Sequence, residues 1–368
     1  MRVPKIIAAG LVFVFALGLI TGYAQETAQR PQKESKKQVA KPSEKVIIPK
    51  EIKAIMQEGL ATRQGRQDIP FTIFKHMIFP AKDSLHTVFF FRAKNADLGF
   101  AVPPAPGAPA QGQAPTPPPA AGALQARLHV FLEFFRPDEA GAPKAAWENY
   151  CPVAFQEDGA TYKPDAEEWY TVGRALLPGK YTLAMALASP DLKKVGVGYY
   201  EFEIPGPESY KTTLETTSIF FLKKVEQLQA VERMTIHKGF FVYSVLQIVP
   251  NLENIVAPGD QIEIFYFILG AKPKEAEPGQ QAKNEIEVDY HVEKEDGSLA
   301  IRWSPQKYDS ALVPGQALPL KQTVQITDDK GKRTETRDLG PGKYNLVLKI
   351  SDKVSGETLE KKVPFEVK

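Results

Sequence analysis

The side chains best able to do chemistry in this chain are few and scattered. Its five histidines, His76, His86, His129, His237 and His291, never fall within four residues of one another. There is no His-Glu-x-x-His, no Cys-x-x-Cys and no Asp-x-Asp-x-Asp-Gly loop, the spacings that gather ligands around a metal. His291 shares strand parity with Glu287, Asp289 and Glu293. A mixed histidine–carboxylate metal site there competes with a solvated strand face, and the solvated face is the expectation. The one cysteine, Cys151, sits in the strand-like run Asn149-Tyr150-Cys151-Pro152-Val153-Ala154-Phe155 with no histidine beside it. A nucleophilic thiol needs a neighbour that lowers its pKa, so Cys151 reads as a small buried apolar residue.

Other catalytic patterns fail on similar grounds. No Gly-x-Ser-x-Gly elbow occurs. Gly196-Val197-Gly198 lacks the helix and lysine that cradle phosphate. Glu167-Glu168 and Asp328-Asp329 sit in turn-like settings and are expected to be solvated; glycosidase chemistry needs two carboxylates across a cleft. We therefore expect no catalytic residue, no metal ligand and no cofactor. Among the aromatics Trp147, Trp169, Trp303, Tyr199 and Tyr200, Trp169 and Trp303 are the candidate ligand contacts, able to stack on a sugar if exposed. Sandwich cores also consume aromatic residues. Trp303, at a strand end before Pro305, is the one expected to be most open.

The elements that must position these groups are β-strands outside the cytoplasm. Residues 1–24 read as a cleaved signal peptide: Arg2 and Lys5, the apolar run Ile6 to Ile20, then Gly22 and Ala24 at the small-residue positions before Gln25. No cysteine follows the run, so no lipid anchor is expected, and no second long apolar stretch predicts a membrane span. Residues 25–48 are polar and charged and predict a flexible tether. Pro49 to Glu58 predicts a short helix with Ile52, Ile55 and Met56 on one face. The formal charge of +2 falls near zero once Arg2 and Lys5 leave, which excludes a long-range field for nucleic acid. With apolar residues at 43% the chain can build packed cores, and with one cysteine it must do so without a disulfide.

The strongest signal is an internal repeat. Leu177-Pro178-Gly179-Lys180-Tyr181-Thr182-Leu183 matches Gly340-Pro341-Gly342-Lys343-Tyr344-Asn345-Leu346 at an offset of 163, without a gap through Phe202-Glu203-Ile204 against Phe365-Glu366-Val367. Each copy reads as a Pro-Gly turn, an alternating strand, a polar turn and a last strand. Upstream, Val88-Phe89-Phe90-Phe91 resembles Phe265-Tyr266-Phe267-Ile268. About seven strands per copy predict an all-β chain of two tandem immunoglobulin-like antiparallel sandwiches, fibronectin-III-like because the inter-sheet disulfide is missing. The expected layout is a first sandwich over 49–208 with a Pro/Ala-rich loop at 102–124, a bridge over 209–236, and a second sandwich over 237–368. Tyr181 and Tyr344 are expected to act as tyrosine corners, bonding back across the sandwich.

The runs Ile248-Val249-Pro250-Asn251 and Ala257-Pro258-Gly259-Asp260-Gln261-Ile262-Glu263-Ile264-Phe265-Tyr266, with the Pro-Gly-Lys-Tyr turns, resemble secreted proteins of soil acidobacteria associated with a Gly-Trp-x-Thr-Asp domain. That motif itself does not occur here. The resemblance implies export and tandem sandwiches and carries no chemistry. Together these readings predict an exported, non-enzymatic binding or scaffold protein of the periplasm or cell envelope. Its expected partner is an envelope or extracellular protein or polysaccharide. Two rival readings are a carbohydrate-binding accessory protein, which requires exposed aligned tryptophans, and an enzyme, which requires a deep polar pocket.

Overall fold

The computed structural model describes residues 48–368 except 82–83, 104–121, 207–208, 210, 231–234, 276–281 and 329–330. The expected signal peptide, nearly all of the tether and most of the Pro/Ala-rich loop lie outside the described residues. The chain is all-β. Among the described residues one α-helix, α1 (Lys50–Glu58), forms, with Pro49 at its N-cap. Then come β1 (Thr72–Ala81), β2 (Ser84–Lys94), β3 (Ala123–Pro137), β4 (Pro143–Asp158), β5 (Glu167–Leu176), β6 (Gly179–Ala188) and β7 (Val195–Ile204). β8 (Glu215–Thr216) and β9 (Phe220–Gln227), both paired with β14, lead into β10 (Ile236–Lys238), β11 (Phe241–Tyr243), β12 (Leu246–Asn251), β13 (Ile255–Val256) and β14 (Gln261–Leu269). The remainder is β15 (Ile286–Lys294), β16 (Leu299–Arg302), β17 (Gln306–Tyr308), β18 (Leu312–Pro319), β19 (Lys321–Asp328), β20 (Gly331–Asp338), β21 (Gly342–Asp352) and β22 (Thr358–Val367). No helix among the described residues is long and apolar enough to cross a membrane.

Four sheets stack face to face. Their orders are β4-β3-β6-β7, β1-β2-β5-β10, β11-β12-β9-β14-β18 and β13-β22-β21-β15-β16. The repeat appears as matched register: Tyr181 lies opposite Phe202 and Leu132 opposite Met185, while Tyr344 lies opposite Phe365 and Tyr290 opposite Leu348. So β1-β2-β5 corresponds to β9-β14-β18, and β4-β3-β6-β7 to β16-β15-β21-β22.

Each space between layers holds its own apolar cluster. Phe89, Phe91, Leu132, Phe134, Tyr170 and Leu183 fill the first sheet pair. Ile264, Tyr266, Val288, Tyr290, Leu346 and Leu348 fill the second. A third cluster, with Met77, Phe79, Phe90, Phe220, Phe241 and Phe265, joins the two pairs through their matching sheets. Its rings meet stacked, tilted or edge-on, with Phe79 and Phe241 centroids 5.3 Å apart and Phe220 and Phe265 at 5.5 Å. β2 and β14 therefore bury both faces, which explains their unbroken apolar runs. Alternate residues go to opposite cores: Phe89 and Phe91 inward, Val88 and Phe90 toward the other pair.

The fourth cluster seats α1 on the outer face of the first sheet. Ile52 and Met56, one turn apart, pack on Ala184, Ala186, Ala188 and Val197. The Tyr199 hydroxyl donates to the Met56 carbonyl at 2.6 Å. Small residues also let residues 65–71 cross β7: a side chain on Gly196 would come within 1.8 Å of the Ile69 carbonyl.

The stretch read as a bridge is ordered and contributes a strand to the second half. Phe220 and Phe221 lie in β9, a full member of the third sheet, and they point into different clusters. The chain then returns to add β10 to β5 of the first pair, Ile236 opposite Val172, before β11 rejoins the third sheet. The expected boundary between 236 and 237 thus falls inside a strand. Two apolar stretches of the second half, Phe241 to Val249 and Leu318 to Thr327, each contribute to two strands. Phe241 to Val249 is a hairpin turning at Ser244, whose φ is 56°. Leu318 to Thr327 spans the end of β18 and the start of β19, and β19 with β20 forms a separate two-stranded ribbon.

Candidate functional site

Of the chemistry-bearing side chains, the tyrosines of the repeat hold matching places. Gly179 and Gly342 have φ of 142° and 156°, so each Pro-Gly turn uses a backbone region that other residues avoid. The Tyr181 hydroxyl donates to the Leu177 carbonyl at 2.8 Å, and the Tyr344 hydroxyl to the Gly340 carbonyl at 2.9 Å. These bonds run to the carbonyl four residues upstream and tie down the turn; they do not reach across the sandwich as expected from sequence. Pro178 and Pro341 set the turns ahead of them.

The tryptophans are not brought together. Trp169 packs, half-buried, against the cluster joining the two sheet pairs, with its centroid 5.8 Å from that of Phe90. Trp303 packs against the second core, and its indole nitrogen donates to the Pro319 carbonyl at 3.2 Å. Trp147 lies against the first core with the Arg174 guanidinium over its face. The three indoles form no common row.

The titratable groups are equally dispersed. His76 pairs with the Tyr200 hydroxyl at 3.0 Å, His129 with the Tyr150 hydroxyl at 2.6 Å, and His291 with Glu293 at 3.3 Å. Among the described residues no three His, Cys, Asp or Glu side chains gather as a metal set. Glu167 reaches Arg92 at 3.4 Å, and Glu168 faces Lys238 at 3.8 Å. Asp329 lies outside the described residues. Cys151 is buried, and burial pushes its thiol up to about 11, although the Asn149 amide and Arg174 pull the other way. That thiol is protonated at neutral pH and unreactive. Arg174 faces the first core between Val172 and Leu176, and burial lowers its guanidinium to about 10. Its Nε and the neighbouring Thr87 hydroxyl have no hydrogen-bond partner among the described residues.

One arrangement escaped sequence reasoning. The hydroxyls of Tyr266 and Tyr290 meet at 2.8 Å, those of Tyr290 and Tyr308 at 3.0 Å, and Tyr308 donates to the Gln316 side chain at 3.1 Å. Burial raises the pKa of all three tyrosines and holds them protonated. Tyr266 and Tyr290 stand where the first copy has Phe89 and Leu132. Only a comparison of the two copies position by position would have marked these hydroxyls as partners.

Three open clefts stand out. The largest, 500 Å³, lies where β1 meets the second half, lined by His76, Ile78, Thr216, Ser218 and Lys361. A second, of 440 Å³, borders Tyr308 and the Glu287–Lys353 ion pair. A third, of 350 Å³, lies beside Tyr344. Strand edges are the other feature. β4 is 16 residues long and ends its sheet. Lys144, Ala145 and Ala146 are exposed there, between Pro143 and the mid-strand Pro152.

The chain matches no protein-family model, and no curated protein matches it in sequence.

Proposed function

We propose that this chain is an exported, non-enzymatic binding or scaffold protein of the periplasm or cell envelope, built as two tandem sandwiches joined face to face, and that it meets its partner with its surface. The observation that carries this reading is the filling of every layer. Apolar side chains occupy the space from α1 through the fourth sheet, so the described interior is spent on packing and the recognition surfaces lie outside it. The common strand order of the two halves supports the tandem reading and its fibronectin-III-like character.

The open end of β4 is the docking edge. An edge strand offers unpaired backbone groups to an added strand. Proline interrupts such addition at its own position: β22 carries Pro364, and β4 carries Pro143 and Pro152. β13 further covers part of β22. On β4 the stretch between Pro143 and Pro152 is proline-free and long enough for one partner strand.

Two measurements test this. Fractionation of cells expressing the full chain, with the N-terminus read by mass, is expected to find a protein beginning at Gln25 outside the cytoplasm. A full-length cytoplasmic chain overturns export. Photo-crosslinkers at Ala145 or Ala146 are expected to give one discrete envelope adduct that Ala146→Pro abolishes. Adducts indifferent to that proline overturn edge docking.

A further inference from the structure

A cation without a counter-charge stands between the open edges of the first sandwich. β4 ends its sheet, and β10 pairs with β5 only at Tyr170, Thr171 and Val172, which leaves that side of β5 open from Gly173 to Leu176. β4 and β5 face each other across the first core, where the ring centroids of Phe155 and Tyr170 are 4.5 Å apart. Further along both strands the Arg174 guanidinium lies over the Trp147 ring, 3.1 Å from its centroid, and near enough to Cys151 for its charge to act on the thiol.

The groups around this guanidinium offer donors and no carboxylate. The Asn149 amide donates to the Cys151 sulfur at 3.2 Å. Thr87 stands opposite Arg174 in the register of β2 and β5 and is 0% exposed, yet its hydroxyl has no hydrogen-bond partner among the described residues, and neither has Arg174 Nε. Burial pulls the guanidinium down to about 10, and no acidic side chain among the described residues holds it up; it stays charged at neutral pH. A positive charge taken out of water is unfavourable unless an opposite charge meets it with good geometry. Trp147 supplies only the attraction of a ring face. The N–H groups in the guanidinium plane, the ones a carboxylate takes, are left over among the described residues.

We propose that the strand added at β4 carries a carboxylate, an aspartate or glutamate side chain, which enters the mouth between β4 and β5 and pairs with Arg174. Trp147, Asn149 and Cys151 are the residues of the proline-free stretch that face inward. A residue directly opposite one of them on an added strand has its Cβ about 4.5–5.5 Å away and points between the sheets. From there its carboxylate can take two guanidinium N–H groups at once. A lysine at the same place repels Arg174, and a neutral side chain leaves the charge uncompensated, so the mouth selects an acidic partner. This assignment rests on docking at the β4 edge and adds to it the charge of the partner.

The test uses the full chain and three blocked peptides, acetyl-Val-Thr-Glu-Thr-Val-amide and its glutamine and lysine counterparts, with sodium acetate as the free anion. Titration calorimetry gives the affinity, and the Arg174 Nε–H signal in NMR gives the place. The glutamate peptide is expected to shift that signal and to bind at least tenfold tighter than the glutamine peptide, with the lysine peptide weakest. Arg174→Gln is expected to bring the glutamate and glutamine peptides to equal affinity, and Ala146→Pro to abolish the binding of both. The wild-type Arg174 signal decides the matter where Arg174→Gln does not fold. Equal binding of the glutamate and glutamine peptides, both lost in Ala146→Pro, overturns the carboxylate and leaves edge docking standing. The proposal is also overturned if the glutamate peptide does not bind, if Ala146→Pro leaves its binding unchanged, or if acetate saturates the Arg174 signal at a lower concentration than the peptide.

Discussion

Replacing His86 by glutamine should flatten the acid side of this protein's stability. His86 lies on β2 with its ring toward the cluster that joins the two sheet pairs, 6.0 Å from the ring of Tyr243. Gly173 of β5 stands opposite Val88, and a side chain there would come within 2.6 Å of His86 Nε2. That nitrogen is buried and has no hydrogen-bond partner among the described residues. Burial first, and the Arg174 charge second, lower its pKa from 6.5 to about 4. The native state thus refuses a proton that the unfolded chain accepts. Stability is whole above pH 6.5, is lost as pH falls toward 4, and changes no further below it. A gap of about 2.5 units at about 1.36 kcal/mol each amounts to roughly 3 kcal/mol at most, of which about 2 kcal/mol is lost by pH 5. Urea unfolding of wild type and His86→Gln at pH 7 and pH 5 isolates this term, because the other titrating groups, His76 and Glu133 among them, are common to both. The variant should lose about 2 kcal/mol less than wild type between the two pH values. Parallel losses would show that His86 is already protonated in the fold or already relieved by water, and the burial argument would fail.

Three further outcomes follow from the packing. Phe265→Ala, in the joining cluster, should cost about 3–5 kcal/mol and lower a single unfolding transition for the whole chain; two separate transitions in calorimetry would show that the halves fold independently. Tyr290→Phe removes the middle hydroxyl of the Tyr266–Tyr290–Tyr308 chain and strands that of Tyr266, while Tyr308 keeps Gln316; it should cost roughly 1–3 kcal/mol and more than Tyr266→Phe, which leaves Tyr290 bonded to Tyr308, read from urea midpoints. Cys151, with its thiol held near 11, should resist a thiol reagent in the native protein at pH 8 and react fully in urea; rapid native labelling would contradict its burial.

Much of the fold was legible in the chain because strand alternation and turn chemistry are local. Pro178-Gly179 and Pro341-Gly342 dictate their turns through one fixed φ and one permissive residue, and Tyr181, Leu183, Met185 and Leu187 alternate with small residues because one face of β6 meets the first core and the other meets α1. α1 was readable for a similar reason: Ile52 and Met56 recur at helical spacing behind a proline. The runs Val88-Phe89-Phe90-Phe91 and Phe265-Tyr266-Phe267-Ile268 also carried a message, since a strand with no polar face has no wet side. Which surface covered the second face could not be read from them.

That partner was decided by long-range contact. The joining cluster draws on β1, β2, β9, β11, β12 and β14, segments far apart in sequence that share no local pattern, and its formation depends on two matching sheets meeting. The same is true of the return of β10 to β5, where three residues find an edge that their own sequence does not specify. It holds again for the tyrosine chain, because Tyr266, Tyr290 and Tyr308 come from three strands and their hydroxyls meet only once those strands pack. Sequence alone determined which residues turn, which alternate and which copy matches which; tertiary structure alone decided what each buried face touches, because that depends on neighbours the local chain does not encode.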